Sequence, residues 1–224
     1  HDVSFDTPDG ITLHGRYVLR PYAYFNLLYL HGRRGSLATR SRLLTYLAAL
    51  NVNVFAIDYR GYGKSTGSPS ESGLYTDAQT AYQWLITQVP AASVVVLGEG
   101  LGAAPACALA AEQPVSALVL ISAFSSLPEL AAERYPWLPT RWLVHSRYDV
   151  LDKLQRVRAP KLIVHSRSDE QVPFAMGERL FEAAPEPKQS MWLEGAKHHE
   201  LYATAGQELA ERLRQYLASL AIPS

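Results

Sequence analysis

The chain has 224 residues, and its 21 Lys+Arg are matched by 21 Asp+Glu. The resulting zero net charge excludes the basic surface of a general nucleic-acid binder. Hydrophobic residues at 48% and charged residues at 19% give a globular chain with a sizeable core, and one cysteine, Cys107, excludes an internal disulfide.

Residues 2–19 read as two strand-like runs around Pro8-Asp9-Gly10, an N-terminal hairpin. A short apolar run, "NLLYLHG" (26–32), ends in a glycine turn, and 36–50 has helical periodicity with Leu43, Leu44, Leu47 and Leu50 on one face. A buried strand at 51–58 leads into the glycine-containing loop "YRGYGKSTGSPS" (59–70), then a helix over 71–89. The strand 93–98, a glycine turn and the helix 101–112 come next, followed by the strand 116–122. Residues 123–159 hold Pro and Trp but no strand-like run, which predicts an insertion of short helices and loops. The strand 161–166, the helix 173–184, the strand 189–195 and a helix from about 203 to 220 complete the chain. Apolar strands alternating with helices predict one α/β domain over 1–224, a doubly wound, mostly parallel sheet covered on both faces.

The turn "VVVLGEGLGA" (94–103) has two readings. It fits G-x-G-x-x-A, a dinucleotide loop, but that loop follows the first strand of its fold and needs a carboxylate ending the next strand. Here the turn follows the fifth strand, and the next one ends Leu120-Ile121-Ser122-Ala123. Both requirements fail. It also fits a G-x-S-x-G nucleophile elbow with glycine, Gly100, in place of serine. That reading requires an acid and then a histidine after later strands. Asp169 follows "KLIVHS" and His198 follows "QSMWLEG".

The stretches "HGRRG", "DYRGYGKSTG", "GEGLG", "DEQVPF" and "GAKH" span 31–198. Together they resemble the α/β-hydrolase-fold serine hydrolases, in the branch of small esterases and depalmitoylase-like enzymes with a small lid or none. The resemblance implies Gly100 at the nucleophile position, Asp169 as the orienting acid and His198 as the general base. His199 is adjacent, and the G-A-x-H spacing favours His198. It also implies an oxyanion hole from the backbone N–H groups of Arg33 and Leu101. Pocket candidates are His31, Gly32, Arg34, Glu99, Tyr59 and Trp137. Glu99 is one position off the elbow and is expected to support it or face solvent. Arg33 and Arg34 replace the usual small polar pair, and their side chains either favour an anionic substrate group or are solvated.

Gly100 has no hydroxyl to attack a carbonyl. In a comparable triad, removing the nucleophile costs on the order of 10⁶ in turnover, about 8 kcal/mol. Three explanations stand: an engineered knockout, a natural non-catalytic member that holds a ligand or partner, or a different chemistry. The expected ligand is a small-molecule ester or thioester. No cofactor is implied, and His and acidic residues show no metal-ligand spacing. No apolar run reaches membrane-spanning length: 91–111 is broken by Glu99, three glycines and Pro105. The chain starts at His1, so membrane association is expected only through a removed N-terminal segment, and the lone cysteine fits a cytoplasmic or membrane-associated protein.

Overall fold

The computed structural model describes residues 1–220. β1 (Asp2–Asp6) and β2 (Thr12–Val18) form the expected hairpin, and β2 joins the sheet antiparallel to β4 (Asn53–Asp58). From β4 onward every pairing is parallel, through β3 (Asn26–Leu30), β5 (Val94–Glu99), β6 (Ala117–Ile121), β7 (Lys161–Ser166) and β8 (Lys188–Leu193). The order across the sheet is β1-β2-β4-β3-β5-β6-β7-β8, so the chain reverses its winding direction after β3 and β5 lies near the centre. Ligand crevices in doubly wound sheets form at the carboxyl ends of strands beside such a reversal.

Period-two alternation splits the central strands between two cores. Leu28, Leu30, Val94, Val96, Leu118 and Leu120 face one core, closed by α2 (Glu71–Ile86), α3 (Ala103–Glu112), α6 (Val150–Leu154) and α7 (Phe174–Ala183). Leu27, Tyr29, Val95, Leu97, Val119 and Ile121 face the other, closed by α1 (Ser41–Ala48) and α9 (Gly206–Leu220). Buried on both faces, these strands read as continuous apolar runs. Cys107 is enclosed in the first core, where burial pushes its thiol well above the usual range.

Several predicted boundaries shift for local reasons. The helix expected at 36–50 opens as a 3-10 turn, Leu37–Arg40, before α1. The last helix divides into α8 (Leu201–Thr204) and α9, with non-helical Ala205 between them. Residues 123–159 hold α4 (Leu127–Arg134), α5 (Thr140–Leu143) and α6, with no strand. None of the described helices is long and apolar enough to cross a membrane.

Candidate active site

The site is built on the turn after β5. Gly98 and Gly102 are fixed by crowding between strand and helix. A Cβ on Gly98 would stand 2.6 Å from the Gly102 carbonyl oxygen, and one on Gly102 would overlap the Leu30 carbonyl. Gly100 differs. Its φ is +54°, the left-handed conformation a nucleophile elbow imposes, yet a Cβ there would meet only the Gly32 Cα, at 3.9 Å. The flanking glycines are sterically required; the central one leaves a side chain's space open. That distance also sets the His31-Gly32-Arg33 turn over the elbow, where an oxyanion hole would lie.

Asp169 and His198, from the loops after β7 and β8, come together. His198 Nδ1–H donates to Asp169 Oδ2 at 2.8 Å. Asp169 Oδ1 accepts the backbone N–H groups of Val172 (2.8 Å) and Gln171 (2.9 Å), which lock the carboxylate. Burial alone would raise the Asp169 pKa, but His198 and these amides outweigh it and hold the carboxyl below its ordinary value. For His198, burial acts downward, and the Asp169 hydrogen bond and charge, with Glu99 and Glu170, overcome it and raise the imidazole above its ordinary value. An Nδ1–H committed to carboxylate leaves Nε2 as the free base, the tautomer that hydroxyl activation requires. His199 is edge-on to His198, and none of the carboxylates of the described residues pairs with it.

Other candidates sit differently. The His31 ring is enclosed, donating Nδ1–H to the Gly32 carbonyl at 2.7 Å and packing on Tyr59 with centroids 4.4 Å apart. Burial pushes its pKa down to about 4, against the Gly32 hydrogen bond. Tyr59 is fully buried, and its hydroxyl donates to the His31 carbonyl at 2.9 Å. Both residues therefore brace the turn from beneath; neither side chain is a pocket wall. Trp137 is 74% exposed, stacked edge-on with Tyr135 in the segment after α4, so its ring is a surface group. Leu101 is half-buried at the start of the post-elbow turn.

Gly32, Arg33, Arg34, Glu99 and His198 do share a cleft of about 510 Å³. Glu99 supports the site through side chains distant in sequence: the Tyr29 and Tyr202 hydroxyls donate to its Oε2 at 2.7 and 3.1 Å. Burial and the Glu99 charge hold both phenols well above their ordinary pKa, so they remain donors. Arg40 donates to the Tyr29 hydroxyl at 3.0 Å and to the Arg34 carbonyl at 2.5 Å.

Sequence reading misses the braces of the Asp169 loop. His165 Nε2–H donates to the Val172 carbonyl at 2.9 Å, and Glu170 Oε2 accepts the His198 backbone N–H at 3.0 Å. The signal for His165 is a buried imidazole directly after the apolar run Leu162-Ile163-Val164. The "DYRGYGKSTG" stretch is structural: Asp58 accepts Leu37 N–H at 2.8 Å and pairs with His14 at 3.0 Å, while Arg60 bridges Asp77 and Asp9. Among the described residues no cluster of three or more His, Cys, Asp or Glu side chains is arranged to hold a metal ion.

Residues 26–149 match the family model described as the alpha/beta hydrolase fold. An uncharacterised protein of Mycobacterium tuberculosis is 38% identical over 99% of this chain and 80% of its own length. The human alpha/beta hydrolase domain-containing protein 17B is 34% identical over 88% of this chain and 68% of its own length. Among solved structures, the Pyrococcus furiosus esterase Pf2001 superposes with TM-score 0.81 at 22% identity, over 98% of this chain and 91% of that one.

Proposed function

The chain belongs to the alpha/beta hydrolase fold family, and from that premise we propose that it is the scaffold of a carboxylester or thioester hydrolase whose nucleophile is absent. The carrying observation is the open left-handed position at Gly100 in a site whose Asp169–His198 pair is assembled. Similarity to proteins bearing hydrolase and esterase names supports the same reading. A serine at this elbow would attack the acyl carbon while His198 Nε2 takes its proton. The Arg33 and Leu101 amides would hold the developing oxyanion, and His198 would return the proton to the departing alcohol or thiol. Water would then release the acyl group by the same route. Glycine supplies no oxygen, so no acyl-enzyme forms, and the chain retains an ester or thioester without turning it over.

The test is paired. Incubation of the unaltered chain with a fluorophosphonate leaves its intact mass unchanged, while Gly100→Ser takes up one equivalent and hydrolyses short aryl esters. An adduct on the unaltered chain contradicts the missing-nucleophile reading. An inert Gly100→Ser protein contradicts the hydrolase reading and favours a fold kept for binding alone.

A further inference from the structure

The cleft beside His198 carries more charge than acyl chemistry needs. The turn after β3, the 3-10 turn Leu37–Arg40 and the start of α1 bring Arg33, Arg34, Arg40 and Arg42 into the lining of the cleft that His198 and Tyr202 also line. Among the described residues none of these guanidinium groups lies within ion-pair distance of a carboxylate. Arg40 is spent on the Tyr29 hydroxyl and the Arg34 carbonyl, and its buried Nε has no partner. The one acidic side chain in the lining, Glu99, has an oxygen occupied by two phenol donors, and it is linked to Arg40 through the Tyr29 hydroxyl, which leaves Arg33, Arg34 and Arg42 without a carboxylate partner among the described residues. Arg33, Arg34 and Arg42 are exposed and unpaired around one concave surface, an arrangement suited to oxyanion recognition, where a guanidinium offers two parallel N–H donors.

We propose that this cleft is a phosphate-binding subsite for the leaving-group half of the substrate, with Arg34 and Arg42 as the principal contacts. The inference rests on the hydrolase reading above, which makes His198 the residue that protonates the leaving alcohol or thiol. A subsite lined by His198 therefore receives the part of the substrate attached to that atom. The substrate class is an ester or thioester whose alcohol or thiol bears a phosphate a short distance from the scissile bond. Arg33 is set apart because its backbone belongs to the oxyanion turn.

The experiment uses two thioesters that differ only in one phosphate: octanoyl-4′-phosphopantetheine and octanoyl-pantetheine. Calorimetric titration of the unaltered chain at low ionic strength is expected to show at least ten-fold tighter binding of the phosphorylated compound. Arg42→Gln and Arg34→Gln each reduce that preference several-fold without changing affinity for the uncharged compound, and added salt narrows it. Inorganic phosphate, run separately, competes only weakly if the whole substrate is recognised. If it matches the thioester, the site takes free phosphate and the substrate assignment is overturned. Equal affinity for the two thioesters, or a preference untouched by both arginine variants, overturns the subsite. These outcomes are separable from the hydrolase test. A Gly100→Ser protein that turns over esters without phosphate preference fails only the subsite, whereas phosphate-dependent binding with an inert serine variant fails the hydrolase reading and the leaving-group assignment with it, and leaves the phosphate contacts standing.

Discussion

His198 Nδ1 and Asp169 Oδ2 lie 2.8 Å apart, with the second Asp169 oxygen held by two backbone amides. The carboxylate is thus fixed before the imidazole meets it, and the imidazole takes one orientation.

That arrangement sets a pH profile for the Gly100→Ser protein. Hydrolysis needs neutral His198, and Asp169 raises the imidazole pKa despite burial. The acid limb of kcat/KM is expected above pH 6.5, with activity lost as pH falls through it. Asp169→Asn removes the largest raising influence and leaves burial opposed only by the Glu99 and Glu170 charges, so the limb moves to lower pH while the plateau drops about 10⁴-fold. A limb that stays in place in Asp169→Asn would mean that another group sets the ionisation of the base. His199→Ala is expected to leave both plateau and limb within about two-fold of the parent, as an exposed ring unpaired with Asp169 should.

The three elbow glycines predict unequal costs. Alanine at Gly102 or Gly98 drives a methyl into backbone already in contact, and such overpacking costs about 3 kcal/mol. Alanine at Gly100 meets no neighbour closer than 3.9 Å and bears only the left-handed backbone penalty, about 1 kcal/mol net. Urea melts of the three variants rank them. Gly100→Ala proving the worst would show that the elbow space is already filled.

The tight glycine turn and the meeting of Asp169 with His198 are legible in the sequence because each is pinned by local rules: small residues where strand meets helix, and loops after successive strands. The pocket is not. Glu99 is held by tyrosines 70 and 103 residues away, contacts that no local pattern encodes. Arg40 and Arg42 lie in a segment whose periodicity reports only its apolar face, so their place in the cleft lining with Arg34 emerges from the Arg40 bond to the Arg34 carbonyl and from the packing of Tyr46 of α1 on Tyr202 of α8. Tyr59 and Trp137 mislead for the opposite reason. Proximity in sequence to a functional loop does not say whether a ring points under it, as Tyr59 does, or away into solvent, as Trp137 does.

Acid sensitivity is built into the turn that faces the elbow. His31 is buried as the neutral form, its pKa pushed down to about 4, whereas in the unfolded chain it titrates near 6.5. A depressed histidine favours the folded state above pH 6.5, and that contribution is lost as pH falls from 6.5 toward 4, because only the unfolded chain takes up the proton. The loss is roughly 3 kcal/mol at most for a shift of this size. His165, lowered by burial, adds to it in the same direction. His31→Gln cannot titrate, so its unfolding free energy, measured by denaturant melts from pH 7 to 4.5, should fall less steeply than the parent's. Parallel curves would show that the His31 ring reaches water more easily than its enclosure implies.

The last prediction concerns the stability of restoring the nucleophile. Gly100 holds φ +54°, a conformation that costs a residue with a Cβ about 1–2 kcal/mol. Serine recovers roughly 0.5–1 kcal/mol because glycine loses more backbone entropy on folding. Packing adds little, since the introduced Cβ makes one ordinary contact, with Gly32. Strain exceeds the entropic gain, so Gly100→Ser is expected to lower the unfolding free energy by about 1 kcal/mol while supplying the proposed nucleophile. A hydrogen bond from the new hydroxyl to His198 Nε2 is worth about 1 kcal/mol where it forms, and it weakens when the imidazole is protonated. The deficit should therefore be smaller at pH 8 than at pH 5.5, whereas Gly100→Ala, which lacks the hydroxyl, should show the same deficit at both. Denaturant melts of the three proteins at the two pH values decide it. A serine variant more stable than glycine at pH 5.5 would show that the turn imposes no strain, and a deficit independent of pH would show that the new hydroxyl does not reach His198.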